Sequence, residues 1–177
     1  MAVLIALLRG VNVGGRTTVA MGDLRAAANE LGYDAVRTYI QSGNLLCTTT
    51  ATPERVARDL EQAIASRCGV ETSVMVRTKA QLAKVVGGSP FLGRGEDPKH
   101  LHVVFTKGKA KVPLSDVARY APEEVRAVGR ELHLLLPGGV GRSKLAADLA
   151  KAGKDQPGTM RSWSTVTRLL ALADEPT

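Results

Sequence analysis

Three histidines, two cysteines and dispersed carboxylates are the residues of this 177-residue chain that could carry covalent or acid-base chemistry. His100 and His102 share one face of an expected strand, and His133 stands apart. No partner cluster has metal-ligand spacing, so no metal site is expected. Cys47 falls mid-strand and Cys68 at a helix end, neither in a Cys-His arrangement that would activate a thiolate. No Gly-x-Ser-x-Gly elbow is present. The carboxylates are spread mainly over helix surfaces, so no general acid-base pair suggests itself. No motif calls for a cofactor. Whether the chain is an enzyme is left open by its residues.

Binding chemistry is better represented. Arg9-Gly10-Val11-Asn12-Val13-Gly14-Gly15-Arg16 joins a buried strand to a helix, and a glycine-rich backbone can turn several N–H groups toward one anion while arginines add charge-assisted bonds. The loop is neither a Walker loop nor a dinucleotide fingerprint. Its structural alternative is a tight turn in which Gly14 and Gly15 supply positive φ. Pro137-Gly138-Gly139-Val140-Gly141-Arg142-Ser143-Lys144 runs into a helix N-terminus, where partial positive charge and unpaired N–H groups favour an anion and Arg142 and Lys144 reinforce it. The plain alternative there is Ser143 as an ordinary N-cap. Tyr39, Gln41 and Asn44 surround a turn made by Ser42 and Gly43, where a tyrosine and amides can stack on and read a base. Equally, Tyr39 packs and Asn44 satisfies the turn. In Arg161-Ser162-Trp163-Ser164-Thr165, Trp163 is expected in the core and Arg161 projects toward an anion.

Charge supports an anionic partner. Lys plus Arg outnumber Asp plus Glu by 24 to 17, a net +7. No acid precedes Asp23, whereas Arg9 and Arg16 do. Residues 141–168 hold Arg142, Lys144, Lys151, Lys154, Arg161 and Arg168 against Asp148 and Asp155. Such a basic surface fits nucleic acid or a phosphorylated ligand; the alternative is charge that only keeps the chain soluble. No segment approaches the roughly 20 apolar residues of a membrane span, so no membrane is expected as partner. Two cysteines without a secretory signal read as free thiols, which places the chain in the cytoplasm.

The elements that position these residues follow from periodicity. Residues 2–8 are continuously apolar, as in a strand covered on both faces. Met21, Leu24, Ala28 and Leu31 recur at helical spacing, with Gly32 as the stop. Residues 36–41 alternate and residues 45–49 resume a β-prone run around Ser42-Gly43-Asn44, a hairpin. Thr52 caps a helix with Pro53 in its first turn, and residues 70–77 form a further strand. The order β-α-β-β-α-β is the ferredoxin-like unit. Thr78 and Gln81 form a capping box that opens a short helix through Val86.

A second half repeats the plan from a strand at residues 101–106. A short helix over 114–120, a hairpin at 125–136, a helix over 143–152, a short strand at 159–163 and a closing helix marked by Val166, Leu169, Leu170 and Ala173 follow. The expected fold is α+β, a tandem duplication of ferredoxin-like units with an extra C-terminal helix. The halves are residues 1–88 and 100–177, with 89–99 as linker. No residue-level repeat between halves is visible.

Leu7-Leu8-Arg9-Gly10-Val11-Asn12-Val13-Gly14-Gly15 and Thr38-Tyr39-Ile40-Gln41-Ser42-Gly43-Asn44 resemble the bacterial family called domain of unknown function 1697, with the likeness continuing through Ser143-Lys144 to Arg161-Ser162-Trp163-Ser164-Thr165-Val166. The tail departs from the family at Ser162 and Ser164, where Asn is usual, and at Met160, where Thr is usual. The resemblance implies a duplicated ferredoxin-like arrangement and supplies no activity. It marks Arg9, Asn12, Gly14, Gly15, Tyr39, Gln41, Ser42, Gly43, Asn44, Arg161 and Trp163 as motif residues. The hairpin tip and the first loop are expected to adjoin in one polar patch with Arg161 nearby, an expectation that Asn12 and Asn44 at opposite sheet ends would overturn.

The leading expectation is a binding protein for an anionic partner, nucleic acid above all, held by Arg9, Arg16, Arg142, Lys144 and Arg161 on phosphates. Strand residues 4–8 lack the stacking aromatics of an RNA-recognition motif, so binding should be electrostatic and salt-sensitive. The alternative is an enzyme or sensor for a small phosphorylated or nucleotide-like ligand bound between the halves. A ligand-free interaction module is a third reading.

Overall fold

A computed structural model describes residues 1–176. Among the described residues the chain forms two four-stranded antiparallel sheets and five α-helices, an α+β protein. It divides into two compact units: residues 1–83 with the segment from Leu169 onward, and residues 84–168.

Unit 1 contains β1 (Ala2–Leu8), α1 (Met21–Glu30), β2 (Asp34–Thr38), β3 (Asn44–Thr49), α2 (Pro53–Cys68) and β4 (Val74–Thr78), with strand order β2-β3-β1-β4. One sheet face carries Leu4, Ala6, Leu8, Leu45, Cys47, Val74 and Val76, and packs with Leu24 and Ala28 of α1 and Val56, Leu60 and Ile64 of α2 in one core. The opposite face is also buried at Ile5, Leu7, Leu46 and Met75. That two-sided burial is why β1 is apolar throughout instead of alternating. The caps work as their residue types dictate. Thr52 accepts from the Arg55 N–H at 3.3 Å, and Gly69 ends α2 in the left-handed conformation, φ 64°. Thr78 and Gln81 exchange bonds of 2.9 and 3.1 Å at the start of α3 (Lys79–Gly87).

Unit 2 contains β5 (Leu101–Thr106), β6 (Glu124–Val128), β7 (Glu131–Leu135), α4 (Lys144–Ala152) and β8 (Gly158–Ser162), in the order β6-β7-β5-β8. Its core joins Leu132, Leu134 and Leu136 with Leu145 and Leu149 of α4. The helix expected over residues 114–120 is only a 3-10 turn, Ala118–Tyr120. Val112, Leu114 and Val117 of this segment are partly buried against the unit 2 core. The closing helix α5 (Trp163–Asp174) starts directly after β8, and its last turns belong to unit 1. There Arg37 donates to the Leu172 carbonyl at 2.7 Å, and Lys79 pairs with Asp174 at 2.5 Å.

Strand register brings out a correspondence between the two sheets that the linear sequence hides. Ile5 of β1 faces Leu46 and Arg77, and Val103 of β5 faces His133 and Arg161. On that register Val76-Arg77-Thr78-Lys79-Ala80-Gln81-Leu82 corresponds to Met160-Arg161-Ser162-Trp163-Ser164-Thr165-Val166. Both segments place a buried arginine next to a hydroxyl residue that caps the following helix. Arg77 is 1% and Arg161 6% exposed, and Ser162 Oγ accepts from the Thr165 N–H at 3.3 Å.

Candidate functional site

The first loop and the hairpin tip meet at one end of the unit 1 sheet. β1 and β3 run antiparallel with Leu7 opposite Asn44, so the exit of β1 and the entry of β3 share an end. The Leu8 N–H donates to the Gly43 carbonyl at 2.9 Å. Asn12 then ties the two together: Nδ2 donates to the Gln41 carbonyl at 2.6 Å and the Val19 carbonyl at 2.9 Å, while Oδ1 accepts from the Val19 N–H at 2.9 Å. Asn12 sits at φ 57°, a left-handed conformation that asparagine tolerates better than most residues. Gly43 is compelled by space as well as by its φ of 80°: a Cβ there would stand 2.6 Å from Val11 Cγ2 and 2.8 Å from Leu8 Cβ. Asn44 is fully buried, and its amide donates to the Tyr39 carbonyl and Ser42 Oγ, both at 2.9 Å.

The motif residues therefore divide by task. Asn12, Gly43 and Asn44 spend their side chains or their lack of one on building the junction. Arg9, Gly14, Gly15, Arg16 and Gln41 are the exposed residues it presents, with Tyr39 and Ser42 half-buried beside them. The backbone N–H groups of Val13, Gly14, Gly15 and Arg16 take no protein acceptor among the described residues. Ile40 at the tip is 49% exposed with φ 48°, and Val13 is 70% exposed. Positive φ is strained for a β-branched residue, and here the turn around Asn44 holds it in place.

The other expected contacts are differently placed. At the start of α4, Ser143 Oγ accepts from the Ala146 N–H at 2.9 Å and Glu123 accepts from the Leu145 N–H at 3.1 Å. The protein's own carboxylate thus occupies the helix terminus expected to cradle phosphate. Lys144 donates to Asp148 at 2.8 Å, and only Arg142 remains as an exposed, unpaired cation there among the described residues. Arg161, expected to project toward an anion, is buried: its guanidinium donates to Thr159 Oγ1 at 2.6 Å and the Met160 carbonyl at 2.9 Å, and burial pushes its pKa down to about 10. The side chain lies on the sheet face of Val103 and His133, opposite the face packed on α4, and that second face is buried as well. Trp163 is 8% exposed, a core residue.

The titratable groups are quiet. Burial raises the Cys47 thiol to about 12 and also raises Cys68, so neither is poised as a thiolate. Burial lowers His102, and it lowers His133 to about 4; the Nδ1 atoms of both have no partner. No group of three or more His, Cys, Asp or Glu side chains among the described residues can hold a metal ion. No helix among them is long and apolar enough to cross a membrane.

The feature missed in the sequence is how the charge is divided. Of the 24 basic and 17 acidic residues, unit 1 holds nine and nine and unit 2 fifteen and eight, so the entire +7 belongs to unit 2. The alternation Lys107-Gly108-Lys109-Ala110-Lys111 was the available signal.

The fold and the junction define an α+β protein whose glycine loop is locked to a hairpin tip. The chain belongs to the family described as protein of unknown function (DUF1697), whose model matches residues 1–133. That match takes in the loop and the tip and stops short of Ser143-Lys144 and the tail from Arg161. Among solved structures, the conserved bacterial protein SP0830 from Streptococcus pneumoniae is similar in fold. The TM-score is 0.74 at 19% identity, over 98% of this chain and 99% of that one. No curated protein matches the chain.

Proposed function

We propose that this chain is a cytoplasmic nucleic-acid-binding protein that grips its partner through phosphates, with each unit a ferredoxin-like module. The observation that carries the reading is the confinement of the whole +7 to unit 2, while unit 1 is balanced. Charge kept for solubility alone has no reason to be so partitioned, whereas a polyanion is attracted to a unit of concentrated positive charge. Arg9 and Arg16 on the unit 1 loop and Arg142 on unit 2 are exposed and add phosphate contacts. Aromatics make up only 3% of residues, which favours backbone gripping over base stacking. The strand orders support the modular reading, since β2-β3-β1-β4 and β6-β7-β5-β8 are the ferredoxin-like order.

A second reading, a small phosphorylated ligand, draws on the N–H groups of residues 13–16 that lack protein acceptors beside Arg9 and Arg16. The test is fluorescence anisotropy of labelled single- and double-stranded DNA and RNA, titrated with the protein from low to physiological salt. Nucleic-acid binding predicts an affinity that falls linearly in log–log coordinates with salt. Absence of binding at low salt refutes it, and phosphate or nucleotide titration followed by Trp163 fluorescence then tests the second reading.

A further inference from the structure

The charge of unit 2 gathers at one end of its sheet, away from Arg142 and Lys144. β5 leaves the sheet at Thr106, the β6–β7 turn passes at Gly129 and Arg130, α4 ends at Ala152 and β8 enters at Gly158; in this antiparallel order all four points share an end. The loop 107–111 is fastened there. The Thr106 N–H and Oγ1 donate to the Arg130 carbonyl at 3.0 and 2.8 Å, and the Ala110 N–H donates to the Gly129 carbonyl at 2.8 Å. The Gln156 amide spans to the same loop, accepting from the Lys111 N–H at 3.0 Å and donating to the Lys109 carbonyl at 2.6 Å.

This fastening fixes the side chains. Ala110 turns inward at 4% exposure, and Lys109 and Lys111 on either side turn to solvent. Gln156 directly follows the 3-10 turn Gly153–Asp155, so its two bonds bring Lys154 and the α4 end with Lys151 beside the loop. Lys109, Lys111, Lys151 and Lys154 are exposed, and none has an ion pair among the described residues. Asp155 is the acid on that stretch. The unit's other carboxylates are largely engaged elsewhere: Glu96 and Glu124 with Arg94, Asp97 with Lys99, and Asp148 with Lys144 and Arg119. Ion pairing thus cancels much of the surface and leaves this end with more lysines than acids, Asp155 and the buried Glu131 being the carboxylates near it.

We infer that Lys109, Lys111, Lys151 and Lys154, set by the Gln156 bridge, form a phosphate-binding footprint for a nucleic-acid backbone. The inference rests on the nucleic-acid reading above and locates it. Lysines on flexible stems act as point charges and suit a sequence-indifferent grip. The loop is ordered by backbone bonds before any ligand arrives, so only side-chain freedom is lost on binding.

The test uses the full chain, a Lys109→Gln/Lys111→Gln/Lys154→Gln variant and an Arg55→Gln/Arg58→Gln control in unit 1, all on single-stranded nucleic acid. Each lost phosphate contact reduces the slope of log affinity against log salt by about 0.7. The lysine variant is expected to lose about 2 in slope and at least tenfold in affinity at low salt, and the control to match wild type. Equal losses in variant and control, or none in the variant, overturn the footprint while leaving nucleic-acid binding intact. Failure of the wild type to bind overturns both. Should the triple variant melt early, Lys151→Gln/Lys154→Gln on the helix end provides the same readout with a smaller change.

Discussion

The loop end of unit 1 and the lysine end of unit 2 are both irregular segments at one end of a four-stranded sheet, and they are built by opposite means. At the loop end, Asn12 contributes three side-chain bonds and Gly43 a missing side chain, so identity is fixed by geometry. At the lysine end, backbone groups and Gln156 do the fastening, and the lysines are free to be lysines only for their charge. Specific, recognisable residues mark where a chain must hold itself together. Residues that could bind a polyanion need only charge and exposure, and leave a fainter trace in sequence.

The comparison breaks most readily at Gly43. Gly43→Ala is expected to cost about 3 kcal/mol, from overpacking against Val11 and Leu8 together with positive φ. Gly15→Ala, with φ 73° and open space around it, should cost about 1 kcal/mol. Urea denaturation of both variants checks this; equal costs would mean that the close approach at Gly43 is unimportant.

Next is a pH effect specific to unit 2. His133 occupies the register position that Leu46 holds in unit 1, and its pKa falls from 6.5 to about 4 on burial. Because the folded form binds the proton less well than the unfolded chain, the stability is complete above about pH 6.5. It is lost as pH falls toward 4, by roughly 3 kcal/mol in total. His133→Leu should flatten the stability profile between those values, and an unchanged slope would contradict the assignment.

Asn12→Ala should destabilise by about 2 kcal/mol through three lost bonds, while Ser143→Ala, a simple N-cap, should cost about 1 kcal/mol. Thermal melts of the two variants order these effects. Smallest of all, the lysine triple variant should stay within about 0.5 kcal/mol of wild type, since its side chains support no fold contact. A large loss would show that the lysine end is structural.

Much of this fold was legible in the sequence because its signals are local. The Thr52 cap, the Gly32 stop, the Thr78–Gln81 box and the hairpin at Ser42-Gly43-Asn44 each require only neighbours in sequence. The adjacency of Asn12 to the hairpin tip was expected only as one of two outcomes, and the register that sets Leu7 opposite Asn44 is what decides it. The rest depends on register and long-range pairing. Arg161 looked like a surface cation until its strand face was known, and its correspondence to Arg77 emerges only when Ile5 and Val103 are aligned. The α4 terminus looked open because Glu123, which occupies it, is 22 residues from Leu145. The lysine end was divided between two distant segments that only Gln156 joins.

Lysine-reactivity footprinting of the wild-type chain, by acetylation and mass spectrometry with and without single-stranded nucleic acid, tests the central claim most directly. Protection concentrated at Lys109, Lys111, Lys151 and Lys154, with Lys79 and Lys99 unchanged, is the predicted result. Uniform reactivity with and without nucleic acid, or protection confined to lysines outside the loop and the α4 end, would contradict it.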